Sequence, residues 1–425
     1  MAERSLIPDD LLRQLIGVGQ VDVLVGISTF NHGEAAVDLV RAVRACLRTY
    51  YPRHRGVLLN IDRGSTDGVA AALAESWIGD AGGRARGLRT TPYVTTTVTE
   101  VPEDDGVTRT ILAATDLLQA GVVVVLDADV AGVTPAWIAA LSAPIRDGQA
   151  DLVAPVFARP PAQGLLVTQL MRPLVRAIYG RRLDEPLLPE FACSGRLAAH
   201  CTELEAAAAH LQRNSHFWIA AEALAGPFRV RQSALGRRGL VAGRPLPGLP
   251  DLFKQVVGSA FSSIEAQSAA WLPRTGSEEI PTIGAWPEEA PTAEPAQDGA
   301  RLIESFEQDV RNLQEILARI LREPTLAAVT AASTGADTPR YPDALWAATV
   351  AEFLTAFHHA VMRRDHITQA LLPLYMARTG SFLQTYANSE PAAIAAANES
   401  LGARFEDVKP WIVERWASQH EVAHG

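Results

Sequence analysis

Only three cysteines, Cys46, Cys193 and Cys201, occur in 425 residues. An odd count without metal-finger spacing argues against a disulfide framework and fits a reducing compartment. Long apolar runs are also lacking, and none approaches the roughly 18 residues that a membrane helix needs. The start, "MAERSLIPDDLLRQLIGVGQ", has no charged-then-apolar signal pattern, so a cytoplasmic protein with no membrane partner is expected. Basic residues are outnumbered, 38 Lys and Arg against 48 Asp and Glu, for a net charge of -10. That balance lacks the footprint of a general nucleic-acid binder, although a local basic pocket stays open. No internal repeat divides the chain, and no side chain stands out as an enzyme nucleophile.

What is present is a core-forming composition. With 48% hydrophobic and 20% charged residues, a chain of this length can bury a substantial core and is expected to form two structural units. Up to about residue 150 the pattern alternates. "VDVLVGISTF" reads as a strand, and Glu34 to Leu47 has apolar residues at helix spacing. "GVLLNIDRGSTDG" is a strand running into a loop, followed by a helix over Val69 to Ile78, a strand over Tyr93 to Val101 and a helix over Thr108 to Ala120. The fold class is α/β, a mainly parallel sheet with flanking helices.

The stretch "VVVVLDADVAG", Val122 to Gly132, carries the clearest chemistry. Five branched apolar residues predict a strand buried on both faces, so Asp127 and Asp129 mark its end. Residues two apart on an extended backbone point to one side, which lets both carboxylates aim beyond the sheet edge. "GVTPAWIAAL" then predicts a helix with Thr134 as cap and Pro135 at its first position. In open sheets of this kind ligands bind beyond the carboxyl ends of the strands. Polar clusters occupy three such ends: Ser28 to Glu34, Asp62 to Asp67, and Asp127 to Asp129. Two carboxylates can hold Mg²⁺ or Mn²⁺ while a substrate diphosphate supplies further oxygens. Acidic residues in strand-to-helix loops also commonly cap backbone amides, and that reading stands beside the metal one.

From about Ala260 the texture changes. "LPRTGSEEIPTIGAWPEEAPTAEPAQDG" is rich in Pro, Glu and Gly and reads as a loop or lid. Leu302 to Leu321, Ala344 to Met362 and Pro391 to Leu401 have helical spacing and no catalytic motif. The expected organisation is a nucleotide-binding and acceptor domain over 1–260, a lid over 261–300 and a helical domain over 301–425.

"NIDRGSTDG" resembles the "DDGSTDGT" segment of the family-2-like glycosyltransferases, and "ISTFNHGE" resembles their first-strand "P-T-Y-N-x-x-E" segment. The resemblance implies the GT-A fold with a helical C-terminal unit. It implies that Thr29, Phe30 and Glu34 line a nucleoside pocket, that Asp62 accepts from the base, that Asp127 lies near ribose or metal, and that Asp129 is the principal metal ligand. For Ser65, Thr66 and Asp67 a turn and helix cap is the favoured reading. "IYGRRLDEPLLPEFACSGRLA" is similar to a segment of the bacterial transferases that make mannosylglycerate, glucosylglycerate and glucosyl-3-phosphoglycerate, and the likeness spans roughly Val21 to Phe261. It implies a retaining glycosyltransferase using a GDP- or UDP-sugar and a small polar acceptor, with Glu190, Phe191, Ser194 and Gly195 as acceptor wall. Helical appendages on this fold imply, by analogy, a homo-oligomer.

Departures from that group are informative. Its "G-K-G" before the metal strand is "DDGVTR" here, which leaves Arg109 as the nearby cation for phosphate. Its metal-binding histidine after "L-G-P-K-I" falls at Leu240, with Arg237 and Arg238 alongside; these arginines either replace part of the metal's role, making the cation weakly held or dispensable, or are solvated surface charges. "WIAAE" places Ala220 where an acid is usual, so Glu222 or His216 is the substitute, His216 being otherwise a packed or capping residue. Cys193 reads as a small buried thiol. The altered "LLPEF" also fits a specialised acceptor, as in an enzyme similar to the S-glycosyltransferase that joins ergothioneine to a GDP-octose in lincosamide biosynthesis. A non-catalytic sugar-nucleotide binder is the reading from a different class, and a sugar nucleotidyltransferase ranks last because "STFNHGE" lacks a Gly-rich, basic loop.

Overall fold

The computed structural model describes residues 7, 9–69, 72–73, 93–97, 104–158, 163–207, 215–240, 248–284, 299–334, 341–386 and 389–417. Its strands are β1 (Val23–Thr29), β2 (Gly56–Asp62), β3 (Tyr93–Thr97), β4 (Val122–Asp127), β5 (Val130–Ala131), β6 (Leu152–Ala158), β7 (Arg181–Arg182), β8 (Phe191–Ser194), β9 (Val230–Arg237), β10 (Gly239–Leu240), β11 (Glu278–Glu279) and β12 (Thr282–Ile283). Eight of them form one sheet in the order β12-β9-β6-β8-β4-β1-β2-β3. All its neighbours run parallel except at β8, which is antiparallel to both β4 and β6. The expected mainly parallel α/β sheet is therefore present.

Why β1 is central follows from its sequence. "VLVGIST" is apolar on both faces, and β2 and β4 pair with it on either side. Successive strands thus leave β1 in opposite directions, which makes its C-terminal end a topological switch point where α/β sheets open a crevice. The register sets Thr29 beside Asp62 and Ser28 beside Asp127. Three polar strand ends are brought to one edge.

Helices cover the sheet as the patterns require. Gly33–Tyr50 buries Ala36, Leu39, Val40, Val43 and Cys46 on one stripe, and these pack with Val25, Val124 and Ile138. Pro135–Arg146 starts as expected, with the Thr134 hydroxyl accepting from the Trp137 amide at 3.2 Å. Of the helix expected over Val69 to Ile78, all but residues 69, 72 and 73 lie outside the described residues, as do the end of the strand expected to reach Val101 and half of the Pro/Glu-rich stretch.

The chain divides into two compact units: Met1–Ala158 with Leu187–Pro245 and Ile280–Glu289, and Arg159–Pro186 with Leu246–Glu279 and Ala290–Gly425. This differs from breaks after residues 260 and 300. The helix Leu249–Ala266 runs through the first of those points because its apolar stripe continues, burying Val256, Val257, Ala260, Phe261 and Ile264. In the second unit the expected helix over Leu302 to Leu321 is three short ones, Gly299–Ile303, Phe306–Asn312 and Gln314–Ile320, and the last helix extends over Pro391–Ala417. No helix among the described residues is long and apolar enough to cross a membrane.

Candidate functional site

At the C-terminal edge of β4, Asp127 turns back on its own loop, its Oδ1 accepting from the Asp129 amide at 3.0 Å. Asp129 meets His32, whose Nε2 lies 3.0 Å from Asp129 Oδ1. One ligand atom from each of His32, Asp127 and Asp129 falls within 4.8 Å of the others. Two carboxylates in that span, with an imidazole beside them, suit a small hard divalent cation, which favours oxygen donors. The donor set therefore fits Mg²⁺ or Mn²⁺.

His32 was not among the residues singled out from the sequence. Its contact with Asp129 spans 97 positions, so no local pattern encodes it. The available signal was placement: a histidine in the loop leaving β1, at the edge where β4 ends. The position at which the sequence resemblance implies a histidine is also adjacent. Leu240 in β10 pairs through its backbone with Val130, one residue beyond Asp129, whereas the imidazole in this cluster comes from the loop after β1.

The loops after β1 and β2 are laced together. The Asn31 amide donates to Ser65 Oγ at 2.8 Å, the Thr66 amide to Asn31 Oδ1 at 2.7 Å, and the Gly33 amide to Asp67 Oδ2 at 2.8 Å. Asp67 Oδ1 accepts from the Val69 amide at 3.1 Å, in keeping with the turn-and-cap reading of this segment. Phe30 is exposed, and the Arg63 guanidinium lies 5.5 Å from its ring centroid. Glu34 is exposed in the first turn of Gly33–Tyr50, and Arg109 is half-buried on the helix Asp104–Leu118.

Asp62 differs from its expected contact with a base. It is fully buried, and its oxygens accept from the Thr29 hydroxyl (2.8 Å), the Ser65 hydroxyl (2.6 Å), the Ser65 amide (2.7 Å) and the Gly64 amide (3.0 Å). Burial alone would raise its pKa, but these donors outweigh it and hold the carboxyl below its ordinary value. Asp62 organises the loop from beneath.

The expected acceptor wall is split by the direction of β8. Phe191 stands opposite Val125, near the carboxylate end of β4, whereas Ser194 stands opposite Val122 at the strand's start. Five residues of extended chain separate Val122 from Asp127, roughly 17 Å. Ser194 and Gly195 are therefore at the far edge of the sheet. There Ser194 Oγ bonds Asp151 at 3.2 Å, and a Cβ on Gly195 would lie 2.2 Å from the Ala120 carbonyl oxygen. Glu190 is buried and gripped by Arg238, and burial pushes the neighbouring Cys193 thiol up to about 12, which keeps it protonated.

The substitutes for the missing acid each have partners within the fold. His216 Nδ1 donates to the Leu188 carbonyl and Nε2 lies 2.8 Å from the Thr108 hydroxyl, while its ring meets Phe191 edge to face. Glu222 accepts from Trp218 Nε1 at 3.0 Å and pairs with His200 at 3.3 Å, joining the helices Ser215–Ala225 and Gly195–Ala207. Ala220 is fully buried. Packing accounts for all three.

No family model matches the chain, and no curated protein matches it. Among solved structures, glucosyl-3-phosphoglycerate synthase of M. tuberculosis is similar at 20% identity, covering 60% of this chain and 84% of that one with a TM-score of 0.42. Mannosyl-3-phosphoglycerate synthase from Rubrobacter xylanophilus is similar at 17% identity, covering 63% and 81% with a TM-score of 0.41. A mannosyltransferase from Pyrobaculum calidifontis, solved with GDP-Man and Mn²⁺, is similar at 15% identity, covering 87% and 88% with a TM-score of 0.40. Likeness at this level leaves the chemistry to this chain's own residues.

Proposed function

We propose that this chain is a retaining glycosyltransferase that moves a sugar from a GDP- or UDP-sugar to a small polar acceptor. The observation that carries the reading is the convergence of Asp127, Asp129 and His32 at the switch-point edge, beside the laced loops after β1 and β2. The order of the three motifs along the chain supports it further.

In this reading Asp127 and Asp129 hold Mg²⁺ or Mn²⁺, which when bound supplies positive charge against a departing diphosphate. Thr29 and Asp62 brace the loops from below, Phe30 offers an exposed aromatic face to the nucleoside, and Glu34 flanks it. Arg109 is the candidate phosphate cation. The acceptor binds on the Glu190 and Phe191 side, and catalysis is positional and electrostatic, with the acceptor attacking on the face the diphosphate leaves.

Calorimetric titration with GDP, UDP and their sugar conjugates, each with Mn²⁺ and with chelator, tests the proposal. Selective binding strengthened by Mn²⁺ supports it and names the base. No binding to any of the four kinds of ligand removes it, and tight binding in chelator moves the diphosphate role from the carboxylates to the arginines.

A further inference from the structure

At the edge of β4, a backbone amide fixes the polarity of the His32 ring. The Phe30 amide lies 2.8 Å from His32 Nδ1. A backbone N–H only donates, so Nδ1 accepts and carries no proton. The ring's N–H is therefore on Nε2, which lies 3.0 Å from Asp129 Oδ1 and donates to it. A protonated ring nitrogen has no lone pair for a cation. We infer that His32 is a positioning residue: it fixes the Asp129 carboxylate through Nε2–H and does not itself coordinate the cation. This inference rests on the reading of Asp127 and Asp129 as cation ligands.

The loop holds this arrangement in place. The His32 side chain is 1% exposed, so the ring has no solvent to turn into. Asn31, immediately before it, adopts φ of 56°, a left-handed conformation that asparagine tolerates better than most residues. Its amide and side chain are both bonded to the loop after β2, through Ser65 and Thr66. Presenting the Nε2 lone pair to a cation would move the proton to Nδ1, against the Phe30 N–H. The ring would then face one donor with another.

Two consequences follow for the cation. Asp129 Oδ1 is engaged by His32, and Asp127 Oδ1 by the Asp129 amide, so both carboxylates are held in set rotamers. Moreover, the link from Ser65 and Thr66 through Asn31 and His32 to Asp129 ties the loop after β2 to the carboxylate pair. Groups that orient a ligand without touching the metal commonly change affinity by 10–100-fold.

The test uses the full chain with selectively ¹⁵N-labelled histidine. Without metal, the His32 ring, assigned by its loss in His32→Gln, is expected as the Nε2–H tautomer; the Nδ1–H tautomer overturns the inference. With Mn²⁺ as probe, pulsed EPR is expected to find no directly coordinated nitrogen, and a ligand-type ¹⁵N coupling that vanishes in His32→Gln overturns it as well. His32→Ala is expected to weaken Mn²⁺ binding about tenfold. His32→Gln, whose amide N–H can still donate to Asp129, should restore most of that loss, and failure to restore it counts against the positioning role. Asp129→Asn separates the two layers: if that variant binds Mn²⁺ like the parent, the cation-site reading fails while the tautomer assignment stands.

Discussion

Arg238 grips Glu190 with both arms, its Nη2 lying 2.7 Å from Oε1 and its Nε 3.1 Å from each carboxylate oxygen. Burial is the largest influence on Glu190 and raises its pKa, Arg238 opposes it, and the charge of Asp127 adds to the rise. The fork is thus matched to a carboxylate of this chain, beside the cation cluster. Its geometry answers the sequence-level alternative that Arg238 neutralises a diphosphate.

Arg238→Ala should accordingly act on stability. Removing one partner of a buried pair strands the other, at a cost of about 3–5 kcal/mol. A drop of that size in urea unfolding, with the Mn²⁺ dependence of donor binding unchanged in a paired Arg237→Ala variant, is expected. Arg238→Met combined with Glu190→Gln should recover much of the loss, since neither side then leaves a bare charge. A stable Arg238→Ala protein with raised metal dependence would return the arginines to the phosphate site.

Asp62→Asn should loosen the loop after β2, costing about 2 kcal/mol for lost hydrogen bonds to a charged group. The sign of its pH dependence is set by the depressed pKa of Asp62. Its contribution is fully present above the unfolded value near 4 and is lost as pH falls through the folded value. Denaturation midpoints of parent and variant should therefore converge towards acid pH. A constant gap would mean that the carboxylate's charge is not what holds Gly64 and Ser65.

Much of this site's placement was legible because it rests on local patterns. "VVVVLDAD" announced a buried strand ending in carboxylates, and Thr134 with Pro135 announced the helix after it. What was not legible depends on direction or on distant contact. Residues 191–194 read as an apolar segment in either orientation, and only its antiparallel pairing with β4 and β6 sends Ser194 away from the cluster. His32 owes its contact with Asp129 to a loop 97 positions away, and Asp62 its contact with Thr29 to a strand 33 positions away. Composition changes at the Pro-rich stretch that follows residue 271, whereas the apolar helical stripe runs through residue 260 to Ile264.

Gly195 offers a direct check on that direction. Its missing Cβ accommodates the Ala120 carbonyl, a backbone atom that cannot swing aside. Gly195→Ala should destabilise the protein by about 1–3 kcal/mol or more, the usual range for overpacking. Donor and acceptor KM should stay near the parent values at a temperature where the variant is folded. A variant of full stability with a selective rise in acceptor KM would put Gly195 back in the acceptor wall.

In the helical unit, Lys409 is almost fully buried, its Nζ donating to the Ile178 carbonyl at 2.8 Å and lying 5.9 Å from the Trp271 ring centroid. Burial, with Arg274 adding to it, pushes its pKa down to about 8. Between that value and the unfolded one near 10.4 the unfolded chain holds a proton that the folded chain has released, so stability rises with pH across the window. Relative to Lys409→Met, the parent should gain about 2 kcal/mol between roughly pH 7 and pH 10, read as the difference in urea unfolding free energies. A flat difference would mean that Lys409 keeps its charge in the fold.

Asp129 separates binding of the diphosphate from binding of the base. On the proposed function its carboxylate serves the cation and not the nucleoside, whose loops are braced independently by Asp62, Asn31 and Asp67. Asp129→Ala should therefore weaken the intact sugar nucleotide in Mn²⁺ by about tenfold or more while leaving the free nucleoside within about twofold, a gap of at least ~1 kcal/mol. In chelator, parent and variant should bind the donor alike, because the parent then lacks the charge that the carboxylate recruits. Removing Asp129 also leaves the His32 N–H without its acceptor, so a uniform loss for nucleoside and donor alike would trace the effect to the β1 loop and count against the metal role.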